Sequence, residues 1–121
     1  MDQRAKPVIL VVEDEPLVLI HSHLALEDAG YDIVTARDAA EALDHLSARN
    51  DIRALFTDVR LPGPLDGLAL ARRVSAQRPE IAIVVTSGSV SIDPGDLPVA
   101  SQFIAKPYTA TQIIRVFDAA A

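Results

Sequence analysis

The sequence predicts one α/β domain over residues 1–121, a three-layer sandwich with helices on both faces of a parallel sheet. Short runs rich in β-branched residues alternate with segments of helical spacing, which is typical of successive βα units. Two of these runs, "VILVV" at 8–12 and "IAIVVT" at 81–86, are apolar without alternation, as in strands that are covered on both faces. A chain of 121 residues can bury one sizeable core, and this one shows no internal repeat or linker.

Five strands and four helices are predicted in alternating order, joined by right-handed crossovers. The strands are expected at residues 8–12, 32–36, 52–57, 81–86 and 101–105. The helices are expected at residues 15–28, 38–49, 66–77 and 109–119. Their N-caps would be Asp14, Asp38, Asp66 and Thr109, and Gly30 would end the first helix.

The first helix is apolar on more than one side. By their spacing Leu17, Ile20 and Leu24 form one stripe, while Leu19 and Leu26 lie roughly opposite. One stripe must therefore be less buried than the other. We expect the exposed stripe to be a docking surface or a homodimer surface, or simply an apolar surface of the helix.

Composition argues against several classes of function. The net charge is −6 and the eleven Lys and Arg residues are scattered, which argues against direct nucleic-acid binding. The absence of cysteine excludes disulfides and thiolate metal sites. The apolar run near the start is far shorter than the ~20 residues of a bilayer span, and "MDQRAK" is not followed by a signal-peptide core. We therefore expect a cytoplasmic domain with no membrane partner.

Polar residues follow most of the predicted strands at their carboxyl ends. The first strand ends in Glu13 and Asp14, the third in Asp58, the fourth in Ser87 and the fifth in Lys106. The second strand offers no acid at its end. A strand order of 2-1-3-4-5 would explain this, because it places strand 2 at the edge and gathers the other four ends around one crevice.

Three carboxylates in one crevice would repel one another and need a cation. Carboxylate oxygens suit Mg²⁺, which binds through one or two carboxylates together with phosphate oxygens. The ammonium of Lys106 and the hydroxyl of Ser87, together with the metal, are suited to hold a phosphoryl group on an oxygen of Asp58. An aspartyl phosphate is a known covalent species in proteins.

Five short motifs occur in order, each at a predicted strand end or helix start. They are "VVEDEP", "FTDVRLPG", "DG" at 66–67, "VTSG" and "FIAKPY". With these motifs the whole chain resembles the receiver domain of two-component response regulators. The resemblance implies a flavodoxin-like sheet of order 2-1-3-4-5 and a regulatory domain that is not an enzyme for an external substrate.

The resemblance also implies roles for individual residues. Asp58 would accept a phosphoryl group from a histidine kinase or a histidine phosphotransfer protein. Glu13 and Asp14, with Asp58 and the backbone carbonyl of Arg60, would bind Mg²⁺. The remaining implied residues are Ser87 and Lys106 at the phosphoryl group, Ser87 and Phe103 as switch residues, and a cis peptide between Lys106 and Pro107.

Two segments depart from the pattern of the resembled family. The loop "PGPLDG" is one residue longer than usual and is expected to reshape the rim beside the metal. The segment 89–100, "SVSIDPGDLPVA", stands where the family carries its fourth helix. Pro94, Gly95 and Pro98 fall within it, and an interior proline costs about 3 kcal/mol and a glycine about 1 kcal/mol in a helix. We expect this helix to be absent or cut to about one turn. The resemblance implies that phosphorylation switches the surface formed by residues 89–108 and the last helix.

Other interpretations remain open on the sequence alone. A pseudo-receiver would keep the fold as an interaction module without the chemistry. An aspartyl-phosphate phosphatase of the haloacid dehalogenase type carries a second acid two residues after its nucleophile, and here that position is Arg60. The three histidines are expected at the surface or in packing. The chain is either a stand-alone regulator or a fragment of a longer protein, and its downstream partner is not predicted.

Overall fold

The computed structural model describes residues 7–88 and 92–120 of the chain. Its sheet has five parallel strands in the order β2-β1-β3-β4-β5, as predicted. The strands are β1 (Val8–Val12), β2 (Asp32–Ala36), β3 (Ile52–Asp58), β4 (Ala82–Ser87) and β5 (Gln102–Ala105). The α-helices are α1 (Pro16–Asp28), α2 (Ala39–Ala48), α3 (Gly67–Gln77) and α4 (Ala110–Ala120).

Helices pack on both faces of the sheet, so the predicted three-layer sandwich is confirmed. Alternate residues of β1 enter two separate cores: Leu10 packs with α2 and α3, while Ile9 packs with α1 and α4. All five residues of β1 are buried, because each of its faces is covered. This explains why the strand reads as a continuous apolar run.

Three of the four predicted N-caps are confirmed. Asp38 accepts a hydrogen bond from the Glu41 amide, and Asp66 accepts one from the Ala69 amide. The side chain of Thr109 likewise accepts one from a backbone amide of α4. Gly30 has φ of +104° just beyond the end of α1, as its role as a stop residue requires.

The prediction that Asp14 caps the first helix is wrong. The N-cap is Glu15, which makes no side-chain capping bond. Two features replace that bond: Pro16 has no amide hydrogen to satisfy, and the Glu13 carboxylate accepts the Glu15 amide at 3.2 Å. Asp14 thereby stays exposed beside the site described below.

The segment between β4 and β5 contains one 3₁₀ turn, Pro94–Asp96, and no α-helix within the described residues 92–100. The predicted loss of the family's fourth helix is confirmed over that range, and residues 89–91 lie outside the described residues. Ile92 and Leu97 pack against the α2 and α3 side of the core. Arg72 of α3 donates two hydrogen bonds to the carbonyl of Asp96, at 2.8 and 3.2 Å.

The exposed face of α1 is the stripe that begins at Leu17. Leu17, Ile20 and Leu24 are 82, 52 and 59% exposed, while Leu26 on the other side is fully buried. The predicted difference in burial between the two stripes is therefore confirmed. None of the helices that the structure describes is long and apolar enough to cross a membrane.

Arg72→Ala should loosen the segment around the 3₁₀ turn while leaving the domain folded. The substitution removes the two hydrogen bonds that the exposed Arg72 side chain donates to the Asp96 carbonyl. Together these bonds contribute about 1 kcal/mol to the free energy of unfolding. Hydrogen exchange is expected to accelerate at the amides of Asp96 and Leu97, which bond within the turn. Arg73→Ala is the matched control, since Arg73 makes no hydrogen bond within the part of the chain described. Equal exchange in both variants would contradict this role of Arg72.

Candidate functional site

Three carboxylates converge at the carboxyl ends of β1 and β3. Val12 is in register with Thr57, so the next residues along each strand, Glu13 and Asp58, are neighbours. Glu13, Asp14 and Asp58 each place an oxygen within 4.8 Å of the other two. Glu13 and Asp58 are buried and Asp14 is exposed, so the cluster faces solvent on one side only.

Lys106 joins the two buried carboxylates. Its Nζ donates to Glu13 Oε1 at 2.6 Å and to Asp58 Oδ2 at 3.0 Å. The lysine directly follows β5, and its amide donates to the carbonyl of Ser87 at 3.1 Å. The peptide bond from Lys106 to Pro107 is cis, as predicted. One ammonium therefore connects the ends of β1, β3 and β5.

Burial and mutual contact shift the pKa values of Glu13 and Lys106. Burial raises the pKa of Glu13, an effect that the hydrogen bond from Lys106 opposes and the charge of Asp58 reinforces. Burial alone would lower the pKa of Lys106, but hydrogen bonds to Glu13 and Asp58 outweigh it and raise that pKa. Because the folded-state pKa of Lys106 is raised, its contribution to stability is fully present below the unfolded value of about 10.4 and is lost as pH rises through the folded value.

A cleft of about 490 Å³ opens over the acidic cluster. The amide of Arg60 donates to Asp58 Oδ1 at 3.3 Å, while the Arg60 side chain is exposed at the rim. Its backbone thus lies beside the Asp58 carboxylate, and the resemblance implies that its carbonyl would bind the metal. The lining residues are Asp14, Glu15, Asp58, Arg60, Leu61, Pro62, Gly88 and Lys106.

The strand register favours Thr86 over the predicted Ser87 as the hydroxyl beside Asp58. Asp58 is directly paired with Thr86 across β3 and β4, and paired residues of neighbouring strands present their side chains to the same face. Ser87 is one residue further and so belongs to the opposite face. Both hydroxyls are buried and have no hydrogen-bond partner among the residues described.

Sequence reasoning passed over Thr86 because it looked for the residue after the strand end. The strand continues through Ser87, one residue further than the predicted end at residue 86. The register supplies the missing signal: Phe56 and Asp58 of β3 stand opposite Val84 and Thr86 of β4. Phe103 of β5, which the resemblance implies to be a switch residue, is 39% exposed.

Gly67, the glycine of the "DG" motif, lies against the backbone of Asp58. Its amide donates to the carbonyl of Val59 at 2.7 Å. A Cβ at Gly67 would stand 1.6 Å from the carbonyl oxygen of Asp58, a distance that no side chain can occupy. The start of α3 is therefore fixed against the strand end that carries Asp58.

The longer loop and the histidines lie around the acidic cluster rather than within it. Leu61 and Leu65 of the loop pack partly into the core beside α2 and α3. The ring of His21 stacks on Tyr108 with centroids 6.0 Å apart, and His23 pairs with Glu27 on α1. The acidic cluster contains none of the histidines.

Comparison with known proteins assigns this arrangement to a family. A match to the response regulator receiver domain covers residues 9–118. The chain belongs to the response regulator receiver family. The predicted resemblance is therefore confirmed, and with it the class of two-component receiver domains.

Individual relatives are similar over nearly the whole chain. The nitrogen assimilation regulatory protein NtrX of Azorhizobium caulinodans is 36% identical over 93% of this chain and 25% of its own length. The C4-dicarboxylate transport transcriptional regulatory protein DctD of Rhizobium meliloti is 32% identical over 92% of this chain and 24% of its own length. This receiver chain thus spans about a quarter of the length of these curated relatives.

Solved structures of receiver proteins have the same fold. A response regulator receiver protein from Sinorhizobium medicae superposes with a TM-score of 0.88 at 28% identity, covering 94% of this chain and 93% of that one. The receiver domain of NtrX from Brucella abortus gives a TM-score of 0.83 at 36% identity, covering 93% of this chain and 96% of that one.

Gly67→Ala should destabilise the domain by about 3 kcal/mol or more, because the added methyl group forces the α3 start away from Asp58. Urea denaturation followed by circular dichroism measures the change. Gly95→Ala is the control, since the nearest atom to a Cβ there is a flexible carboxylate oxygen of Asp93 at 3.5 Å. A Gly67→Ala protein as stable as Gly95→Ala would contradict the close approach.

Proposed function

We propose that the domain over residues 1–121 accepts a phosphoryl group on Asp58 from a phosphohistidine of a histidine kinase or a histidine phosphotransfer protein. The observation that carries this proposal is the Lys106 ammonium between Glu13 and Asp58, with Asp14 beside them and a cleft above. A buried carboxylate that is reachable from a cleft can act as a nucleophile while its neighbours hold it in place.

The donor set fits Mg²⁺. When Glu13, Asp14, Asp58 and Lys106 are ionised, three negative charges and one positive charge leave a formal charge of −2 in the cluster. The residues that would hold the ion are the three acids and the backbone carbonyl of Arg60. Bound there, Mg²⁺ would neutralise charge on the transferring phosphoryl oxygens.

The residues of the chain have distinct roles in the proposed transfer. An Asp58 carboxylate oxygen forms a bond to phosphorus while the phosphorus–nitrogen bond of the donor breaks, and its electron pair returns to the imidazole. Lys106 is positioned to contact a phosphoryl oxygen, and the Thr86 hydroxyl, which has no partner among the described residues, supplies a donor for another. Both contacts strengthen as negative charge gathers on the new aspartyl phosphate.

The exposed stripe of α1 supports docking of the phosphohistidine protein beside the site. A cleft of about 460 Å³ connects Leu17 on this stripe with Lys106. A partner that packs on Leu17, Ile20 and Leu24 would bring its histidine to the cleft without covering Asp58. The cleft is lined by Leu17, Val18, His21, Gly88, Lys106, Pro107 and Tyr108.

The segment between β4 and β5 supports a role in output. The segment follows Thr86 and Ser87 and leads into β5, where Phe103 is partly exposed. Within residues 92–100 it is bound to α3 by hydrogen bonds from Arg72 to the Asp96 carbonyl. We infer that a phosphoryl group on Asp58, hydrogen-bonded to the Thr86 hydroxyl, reorganises this segment and the surface of α4.

Asp58→Asn should abolish phosphorylation and keep the fold, because the amide preserves shape but is not a nucleophile. Native protein and variant are incubated with acetyl phosphate and Mg²⁺, and intact-mass spectrometry measures the adduct. Accumulated phosphoprotein in the native chain alone is the expected result. Turnover of acetyl phosphate without accumulation would favour a phosphatase, and no reaction would favour a pseudo-receiver. Full modification of the Asp58→Asn protein would sink the assignment of Asp58.

Thr86→Ala should weaken binding of beryllofluoride, a phosphoryl mimic, by about tenfold through loss of one hydrogen bond to a charged group. Titration in the presence of Mg²⁺ measures the affinity. Ser87→Ala, one residue along the same strand and equally buried, is expected to bind the mimic within about twofold of the native protein. The opposite order of effects would return the role to Ser87, and equal effects would show that the face of the strand does not decide it.

A further inference from the structure

The loop that carries Lys106 is short and has one buried side chain. β5 ends at Ala105 and α4 begins at Ala110, so the connection consists of residues 106–109. Among these four residues only Tyr108 is buried, at 9% exposure. Whatever fixes Tyr108 therefore also restrains Lys106, which is two residues away.

Tyr108 is bound to α1 by a hydrogen bond between two buried hydroxyls. The Tyr108 hydroxyl lies 2.5 Å from Ser22 Oγ. Ser22 donates its own hydrogen to the carbonyl of Val18 at 3.0 Å, so the phenol is the donor in the contact with Ser22. Ser22 is 1% exposed, which leaves solvent no access to replace either partner.

Aromatic contacts hold the same ring from two further directions. Tyr108 packs on Phe56 with ring centroids 5.5 Å apart, and Phe56 is two residues before Asp58 on β3. On the other side the ring of His21 stacks on Tyr108 at 6.0 Å. His21 and Tyr108 both line the cleft that reaches Lys106. The phenol thus touches the strand of the phosphoacceptor and the helix that borders the cleft.

We propose that Ser22 and Tyr108 are a positioning pair that holds the Lys106 ammonium in place between Glu13 and Asp58. The inference rests on the proposed function, because it assigns to these two residues the geometry on which phosphorylation of Asp58 depends. The pair acts through the loop 106–109 and touches no reacting atom. It also ties α1, whose outer face is exposed, to the lysine at the site.

The two single substitutions have unequal effects. Tyr108→Phe keeps the ring, removes the donor and leaves Ser22 with its bond to Val18. Ser22→Ala instead leaves a buried phenol hydroxyl without its acceptor, and the ring must move to satisfy it. Ser22→Ala is therefore the more disruptive change, and adding Tyr108→Phe to it should relieve the damage.

The test measures Lys106 directly and then the chemistry. The ammonium of a lysine with two hydrogen bonds is observed by NMR as slowly exchanging hydrogens in the unphosphorylated protein. Phosphorylation by acetyl phosphate with Mg²⁺ is followed in parallel by mass spectrometry. Tyr31→Phe is the matched control, because it removes a phenol hydrogen bond elsewhere in the domain, the 2.6 Å contact of buried Tyr31 with exposed Asp118 near the C-terminal end of α4.

Ser22→Ala is expected to speed exchange of the Lys106 ammonium and to slow phosphorylation about fivefold. The double variant with Tyr108→Phe should recover only part of this loss, because the unpaired hydroxyl is gone while the bond to α1 is still missing, and Tyr31→Phe should leave both readouts unchanged. The inference is overturned if Ser22→Ala and Tyr31→Phe behave alike, or if the double variant is no better than Ser22→Ala. A native protein that takes up no phosphate would refute the proposed function, while the ammonium exchange would still decide on the pair.

Discussion

The rest of the site depends on the two hydrogen bonds that Lys106 donates to Glu13 and Asp58. Two carboxylates lie buried at the ends of adjacent strands, and burial of such charges is costly unless they are paired and hydrogen-bonded. The ammonium meets both at hydrogen-bond distance, and removing one member of a buried ion pair typically costs about 3–5 kcal/mol. The two carboxylates therefore depend on the end of β5 being held above β1 and β3.

Holding three chain segments so close demands close backbone contacts around them. Gly67 is required because α3 starts against the carbonyl of Asp58, where no Cβ fits. On the opposite side, Tyr108 fills the space between Phe56 and α1 and bonds to Ser22. The acidic cluster is thus supported from the faces that α3 and α1 cover, and its open side is the cleft over Asp14. Such rigid support suits the proposed role of Asp58, which would have to stay aligned with an incoming phosphoryl donor.

The sequence predicted local structure and the cluster of acids and lysine at the strand ends, but not which single side chains pair across the sheet. The strand order follows from the polar residues at the strand ends, and the caps at Asp38 and Asp66 follow from residue type and spacing. The loss of the family's fourth helix follows from Pro94 and Pro98, because proline disrupts a helix wherever the rest of the chain lies. The cap at Asp14 failed because Pro16 has no amide hydrogen to donate to it, and the helix begins one residue later, after Glu15.

The other contacts that the sequence did not predict all depend on which residues of distant segments become neighbours. Thr86 is distinguished from Ser87 only by its pairing with Asp58 across the sheet, which strand residues alone do not reveal until the register is known. The bond from Arg72 to Asp96 joins residues 24 apart in sequence, and the bond from Ser22 to Tyr108 joins residues 86 apart. Periodicity identifies which side chains face inward, but the partner each one meets is decided by packing of the whole domain.

The missing helix changes how a signal from Asp58 would reach the surface. A phosphoryl group shifts a two-state element only by its differential interaction with the two states, a few kcal/mol at most for one or two charged hydrogen bonds. A packed three-turn helix is held by many buried contacts. The described segment 92–100 is held instead by two partly buried apolar side chains, Ile92 and Leu97, and by hydrogen bonds from Arg72 of α3. Val99 beside β5 is 95% exposed, so rearrangement there breaks little packing. In the proposed function, a hydrogen bond from Thr86 to a phosphoryl group would therefore act on a segment with few buried contacts, which is easier to rearrange than a packed helix.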